Sequence, residues 1–257
     1  ELVLLRGEAG TGKEVLARYM HGVSPRASGP FVGRSLASVP SELFEAELFG
    51  VEKGAATGIG RQLVGEFEHA AEGTLLLDEL GAASPAHQAK LLRVLQERHF
   101  ARVGGREMLE IQCNVLAATQ DNIEARCRVG EFRQDLYDRF QRVLYIPSLR
   151  ERPEDIEPLA LQVLADELSR SGKVGIEIAE DALMALKASP LPKNARTVQQ
   201  VLARAVGAKS SQSVIRASDL LFDQNVPDTE RSTPAPYRGD AEEAMPLALE
   251  PGKGDGP

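Results

Sequence analysis

The 257-residue chain is 42% apolar and 26% charged, with a formal net charge of −8, enough apolar material for one sizeable core or a large and a small one. That balance excludes wholesale disorder, and 30 Lys+Arg against 38 Asp+Glu leave no global basic field for stand-alone binding to a nucleic-acid backbone. Apolar runs such as residues 2–5 and 75–77 fall far short of the roughly 18 residues a membrane span needs, so a soluble, cytoplasmic protein without membrane contact is expected.

The chain opens at Glu1 and enters an apolar strand, residues 2–5, at once, which reads as a piece of something longer. Directly after it, Gly7-Glu8-Ala9-Gly10-Thr11-Gly12-Lys13 fits G-x-x-x-x-G-K between that strand and an amphipathic helix carrying Val15, Leu16, Tyr19 and Met20. Glycines let the backbone curl so that several N–H groups converge on phosphate oxygens at a helix N-terminus, and the Lys13 ammonium reaches the outer phosphates. Glu14 stands where Ser or Thr would ligate Mg²⁺, leaving that place to Thr11 or a water. A glycine-rich turn with no ligand is the bland alternative.

Further strands are predicted at residues 31–32, 74–77, 115–118 and 144–146. In the second of these, Gly73-Thr74-Leu75-Leu76-Leu77-Asp78-Glu79 ends an apolar run in two carboxylates. Beside a phosphate loop, Asp78 is placed to hold the Mg²⁺ that bridges the phosphates, and Glu79 to orient and deprotonate an attacking water. Ser84-Pro85 supplies an N-cap and a first-turn proline to a helix whose Leu91, Leu92 and Leu95 should lie on the sheet.

After Pro147 the β signal fades and helices are predicted near residues 154–168, 179–188 and 195–206. The alternation of strands and helices implies an α/β fold, a parallel sheet flanked by helices, over residues 1–147, with a small helical subdomain over 148–222. Residues 223–257, rich in Pro and Gly, read as a disordered tail or linker. Cys113 and Cys127 form no C-x-x-C pair, and His21, His69, His87 and His99 are scattered. Buried thiols in a reducing compartment, and no metal site built from these residues, are expected.

Together these segments resemble the central AAA+ ATPase domain of bacterial enhancer-binding proteins, the NtrC-like activators of sigma-54 RNA polymerase, from Leu2 to about Leu221. Gly-Glu-Ala-Gly-Thr-Gly-Lys-Glu is similar to that family's Walker A, in which Glu follows the lysine. Gly7, Glu8, Gly10, Thr11, Gly12, Lys13 and Glu14 are therefore the implied ATP-binding positions. Glu47-Leu48-Phe49-Gly50-Val51-Glu52-Lys53-Gly54 and the following Ala55-Ala56-Thr57-Gly58 resemble the stretch with the sigma-contacting loop, Gly54, Ala55, Ala56, Thr57 and Gly58 being the partner-loop positions. Arg102-Val103-Gly104-Gly105 resembles the second pore-facing loop and Ala117-Ala118-Thr119-Gln120 the sensor I segment. Phe132-Arg133-Gln134-Asp135-Leu136-Tyr137-Asp138-Arg139 resembles the segment whose two arginines act in the neighbouring subunit, which makes Arg133 and Arg139 arginine-finger candidates. Leu149-Arg150-Glu151-Arg152-Pro153-Glu154-Asp155-Ile156 resembles the entry to the helical lid. Leu191-Pro192-Lys193-Asn194-Ala195-Arg196 resembles the sensor II turn, with Arg196 reporting the γ-phosphate.

The resemblance implies an ATPase working with Mg²⁺ in a ring, a hexamer in the family, that remodels a transcription complex. The family's loop reads Gly-Ala-Phe-Thr-Gly-Ala, whereas this chain has Ala56 in place of the aromatic, and the truncation weakens any grip on sigma-54. Ser35 stands where the family has an Asn paired with the catalytic glutamate, and Lys193 and Thr197 replace its usual Gly and Glu. No helix-turn-helix pattern follows the lid, so no DNA-binding module is expected in this chain. Two other readings remain: a sigma-54-independent regulator that keeps its ATPase, and a nucleotide-binding scaffold or decoy subunit that joins rings without driving them.

Overall fold

A computed structural model of the protein describes residues 2–55 and 61–222; the tail and three sigma-loop positions, Ala56, Thr57 and Gly58, lie outside them. Strand β1 (Leu2–Arg6) leads through the glycine loop into helix α1 (Lys13–Gly22) and back into β2 (Phe31–Ser35). Short helices α2 (Phe44–Phe49) and α3 (Glu66–His69) precede β3 (Thr74–Asp78), and α4 (Pro85–Glu97) follows it. A small hairpin of β4 (His99–Phe100) and β5 (Leu109–Glu110) gives way to β6 (Asn114–Thr119). Helices α5 (Ile123–Arg128) and α6 (Gln134–Tyr137) then lead to β7 (Arg142–Tyr145).

The five long strands form one parallel sheet in the order β2-β3-β6-β1-β7. Parallel pairing puts every strand's C-terminal end at one edge, and the register sets Arg6 beside Thr119 and Ser35 beside Asp78 there. In β1, β3 and β6, side chains alternate between two covered faces, as in the interior of a parallel sheet. Leu2, Leu4, Leu75, Leu77, Val115 and Ala117 pack with Phe44, Leu48, Phe67, Leu91, Leu95 and Leu136. On the other face, Val3, Leu5, Leu76, Leu116 and Ala118 meet Ala17 of α1, with Leu16 and Met20 alongside. Burying each of these leucines contributes about 1.5–3 kcal/mol, so the sheet edge is a rigid platform.

Two expectations shift. Val15 and Tyr19, expected on the apolar side of α1, are 72% and 66% exposed, because Leu16, Ala17 and Met20 occupy the stripe that meets the sheet. Strand β7 begins at Arg142 rather than 144: its backbone pairs with β1 from Val3 opposite Arg142 onward, although all four residues are exposed. The α4 start is as predicted, with Pro85 in the first turn and the Ser84 hydroxyl accepting from the His87 N–H at 3.3 Å.

Beyond the sheet, α7 (Ile156–Ser171), β8 (Glu177–Ile178), α8 (Glu180–Ala188), α9 (Ala195–Ala208) and β9 (Val214–Ile215) build the helical lid. Ile156, Ala160, Val163 and Leu164 pack against Ala182, Leu186, Val198, Val201 and Leu202 in a cluster of their own. Among the described residues no helix is long and apolar enough to cross a membrane.

Candidate nucleotide site

The loop from Gly7 to Lys13 rises from the end of β1 at the C-terminal edge of the sheet, where open α/β folds bind ligands. Gly12, at φ 99°, has no atom crowding its absent Cβ, so the left-handed turn itself is what demands glycine. Gly10 is different: a Cβ there would lie 2.1 Å from the Lys193 carbonyl oxygen, since the lid touches the loop. Lys13 opens α1 and donates from Nζ to the carbonyls of Gly7 at 2.8 Å and Glu8 at 3.0 Å. Burial pushes its ammonium below the ordinary lysine range, and the nearby charges of Asp78 and Glu79 pull it back up. Glu8 adds to that upward pull and the Arg196 guanidinium opposes it, so two cations and three carboxylates meet at this edge. A cation satisfied only by two carbonyls at a helix N-terminus fits a phosphate group, which offers it a formal negative charge.

Asp78 is the last residue of β3, and Glu79 follows in the left-handed conformation at φ 57°, ψ 46°, uncommon for a residue with a side chain. The Glu79 N–H donates to Asp78 Oδ1 at 2.9 Å, which fixes the aspartate's orientation. One carboxylate together with phosphate oxygens suits Mg²⁺, which binds through one or two carboxylates and keeps much of its water. Thr11 does not present its hydroxyl: it is buried and donates to the Glu8 carbonyl at 2.9 Å. Ser35 lies in register with Asp78, one step from Glu79. Thr119 ends β6, buried, and its hydroxyl accepts from the Asp121 N–H at 3.0 Å.

Glu8 and Glu14, both expected at the nucleotide, have side chains engaged elsewhere. Glu14 is exposed on α1 and pairs with Arg18 one turn along at 2.7 Å, so only its backbone N–H remains a phosphate donor. Glu8 is taken by the lid: Arg150 grips its carboxylate through both terminal nitrogens at 2.8 and 2.5 Å, and Asn194 Nδ2 donates to it at 3.2 Å. That arginine pair holds the Glu8 carboxyl below the ordinary range.

Asn194 was visible in the sequence only as part of a turn, yet it joins three segments. Fully buried, at φ 50° and ψ −128°, it accepts from the Leu149 N–H at 2.6 Å and donates to the Ala9 carbonyl at 2.9 Å. Arg152 donates to the Thr11 carbonyl at 2.9 Å, and the Ala195 N–H to the Gly10 carbonyl at 3.1 Å. Arg196, one residue further, is exposed with its stem against Gly10. The lid thus touches four successive loop residues, from Glu8 to Thr11.

Arg133 and Arg139 lie on the surface on either side of α6, Arg133 in a two-pronged pair with Asp135 at 2.9 and 2.7 Å. Gly54 and Ala55 are exposed where the described part of the partner loop ends. The base of that loop is tied to the segment of residues 102–105: Val51 exchanges hydrogen bonds with Leu63 at 2.9 Å, and the Val103 N–H donates to the Gly50 carbonyl at 2.9 Å. Arg102 reinforces the junction through Glu68 at 2.6 Å and Glu52 at 3.3 Å.

The model of the sigma-54 interaction domain matches residues 1–145, and that of the AAA+ ATPase lid domain residues 150–235. The Nif-specific regulatory protein of Azospirillum brasilense is 43% identical over 225 residues, 87% of this chain and 36% of that protein. Regulatory protein AtoC of Escherichia coli K12 is 42% identical over 226 residues, 88% of this chain and 48% of its own. The crystal structure of NtrX from Brucella abortus in complex with ATP superposes with a TM-score of 0.78 at 32% identity, covering 85% of this chain and 50% of that one. The chain therefore spans between about a third and a half of the proteins it resembles.

Proposed function

This chain belongs to the sigma-54 interaction domain family of AAA+ ATPases, and from that premise we propose that it hydrolyses ATP between subunits of a ring to remodel a sigma-54 transcription complex. The observation that carries the reading is geometric: the glycine loop leaves β1 and delivers Lys13 at the same edge of the sheet at which β3 ends in Asp78 and Glu79. Lys13 and the backbone N–H groups from Gly10 to Glu14 take the phosphates, Lys13 leaving its two carbonyl acceptors to do so. Asp78 would hold Mg²⁺, which when bound neutralises charge on the bridging phosphate oxygens. Glu79, held in its left-handed turn, orients water in line with the γ-phosphate and accepts its proton. Arg196 reaches the same phosphate from the lid.

Arg133 and Arg139 are surface cations and complete a neighbour's site rather than their own, stabilising charge on the transferring phosphoryl group. The ring is a hexamer in this reading. The partner loop at positions 54–58 meets sigma-54 RNA polymerase, with Ala56 offering less apolar area than the family's aromatic.

The test uses this chain within its complete protein and measures ATP turnover per chain on dilution, then retention of sigma-54 in the presence of a transition-state analogue. Turnover that falls on dilution, with retention that rises about tenfold on Ala56→Phe, supports the reading. Turnover without retention by either protein points to the sigma-54-independent regulator, and absence of both to the scaffold subunit.

A further inference from the structure

The segment carrying Arg133 and Arg139 has little secondary structure of its own. Helix α6 is a single turn of four residues, anchored from below by the buried Phe132, Leu136 and Phe140. Apolar contacts of this kind fix depth but not direction, because they are not directional. Beside the Arg133–Asp135 pair and the backbone bonds of residues 131 and 132 to the Arg126 carbonyl, two side-chain pins add direction, and each leads back to the nucleotide site of the same chain.

The first pin is Gln88, a fully buried amide on α4. Its Oε1 accepts from the Arg133 backbone N–H at 2.9 Å, while its Nε2 donates to the Glu131 carbonyl at 3.2 Å and the Ala83 carbonyl at 2.9 Å. Ala83 ends the turn that Glu79 begins. The second pin is Glu124 on α5. One carboxylate oxygen accepts from the Tyr137 hydroxyl at 2.7 Å and the other from Arg6 Nη1 at 2.6 Å. Arg6 is the last residue of β1, immediately before Gly7, and its side chain is only 15% exposed.

We propose that Gln88 and Glu124 are positioning residues for the reaction in the adjacent subunit: they set the direction in which Arg133 and Arg139 are offered and tie it to the Glu79 turn and the phosphate loop of their own chain. The inference rests on the reading that these arginines act across a subunit boundary. A misplacement of about 1 Å at a reacting group can cost on the order of a hundredfold in rate, so loosening either pin acts on turnover rather than on ATP binding.

The experiment mixes two otherwise inactive chains in the complete protein. Lys13→Ala leaves a chain that gives arginines but has no cradle, and Arg139→Ala a chain with a cradle but no complete arginine pair. Glu124→Ala is then added to one or the other. We expect it to lower the recovered turnover about tenfold on the arginine-giving chain and by less than about twofold on the cradle-giving chain, with KM for ATP unchanged. Tyr137→Phe, which removes one oxygen and threatens folding least, should act in the same direction on the arginine-giving chain, by about threefold. Equal losses on both chains, no loss on either, or a loss expressed in KM overturns the proposal. A mixture that recovers no turnover before Glu124 is touched overturns the shared-boundary reading itself, and this inference with it.

Discussion

Arg150 and Glu8 form a two-pronged ion pair, at 2.8 and 2.5 Å, that fastens the first turn of the lid to the second residue of the phosphate loop. Both side chains are partly exposed, 37% and 26%, so the pair contributes about 0.5–1 kcal/mol rather than the several a buried pair would suggest. The Glu8 pKa in the folded chain lies below its unfolded value, first because Arg150 hydrogen-bonds the carboxylate. Its contribution is therefore complete above the ordinary carboxylate value of about 4.3 and is lost as pH falls through the lower folded value. In a double-mutant cycle of Glu8→Gln and Arg150→Ala, followed by urea unfolding, the coupling should be present at pH 7 and still detectable at pH 4.5, then vanish in stronger acid. Coupling that disappears well above pH 5 would contradict the assignment.

Asn194 should be costly to replace for two separable reasons. It makes hydrogen bonds to Leu149, Ala9 and Glu8, and it sits at φ 50°, where a side chain is a liability. Asn194→Ala should lower unfolding stability by about 2–3 kcal/mol, leaving the buried Leu149 N–H without its acceptor. Asn194→Gly loses the same bonds but relaxes the backbone, and should recover about 1 kcal/mol of that deficit. Urea unfolding of both variants measures the difference; equal losses would show that the backbone conformation costs nothing.

Glu79→Gln keeps the size and the strained turn while removing the base. ATP binding should stay within about twofold of the parent, while turnover drops about a hundredfold or more. Equilibrium nucleotide titration beside steady-state turnover separates the two quantities. A variant that binds weakly and turns over at the parental rate would take Glu79 out of the chemistry.

How much of this was legible in the sequence depended on whether one periodic pattern decided the matter. The run Leu75-Leu76-Leu77 ending in Asp78-Glu79 reads as a strand buried on both faces, and β3 is that strand. The glycine loop was legible because its glycines have backbone reasons, as the φ of Gly12 illustrates. Strand β7 was seen only at its end, since all four residues are exposed and its membership of the sheet comes from backbone pairing with β1. On α1, Val15 and Tyr19 form a stripe beside that of Leu16 and Met20, and periodicity does not say which of two adjacent stripes faces the sheet. Gln88 was invisible for the opposite reason: a buried amide in mid-helix looks like any surface glutamine until the segment it holds is folded against it. The grip of the lid on Glu8 joins residues 142 positions apart, which no local spacing encodes.

The central claim is that one chain supplies the cradle and its neighbour the positive charge. The most direct measurement is the turnover of an equal mixture of Lys13→Ala and Arg139→Ala chains. In a head-to-tail ring assembled at random, about a quarter of the boundaries join an intact cradle to an intact arginine pair. We predict that two preparations almost inactive alone recover about a quarter of the parental rate once mixed. An Arg139→Ala chain that is fully active alone, or a mixture no more active than its components, would contradict the account.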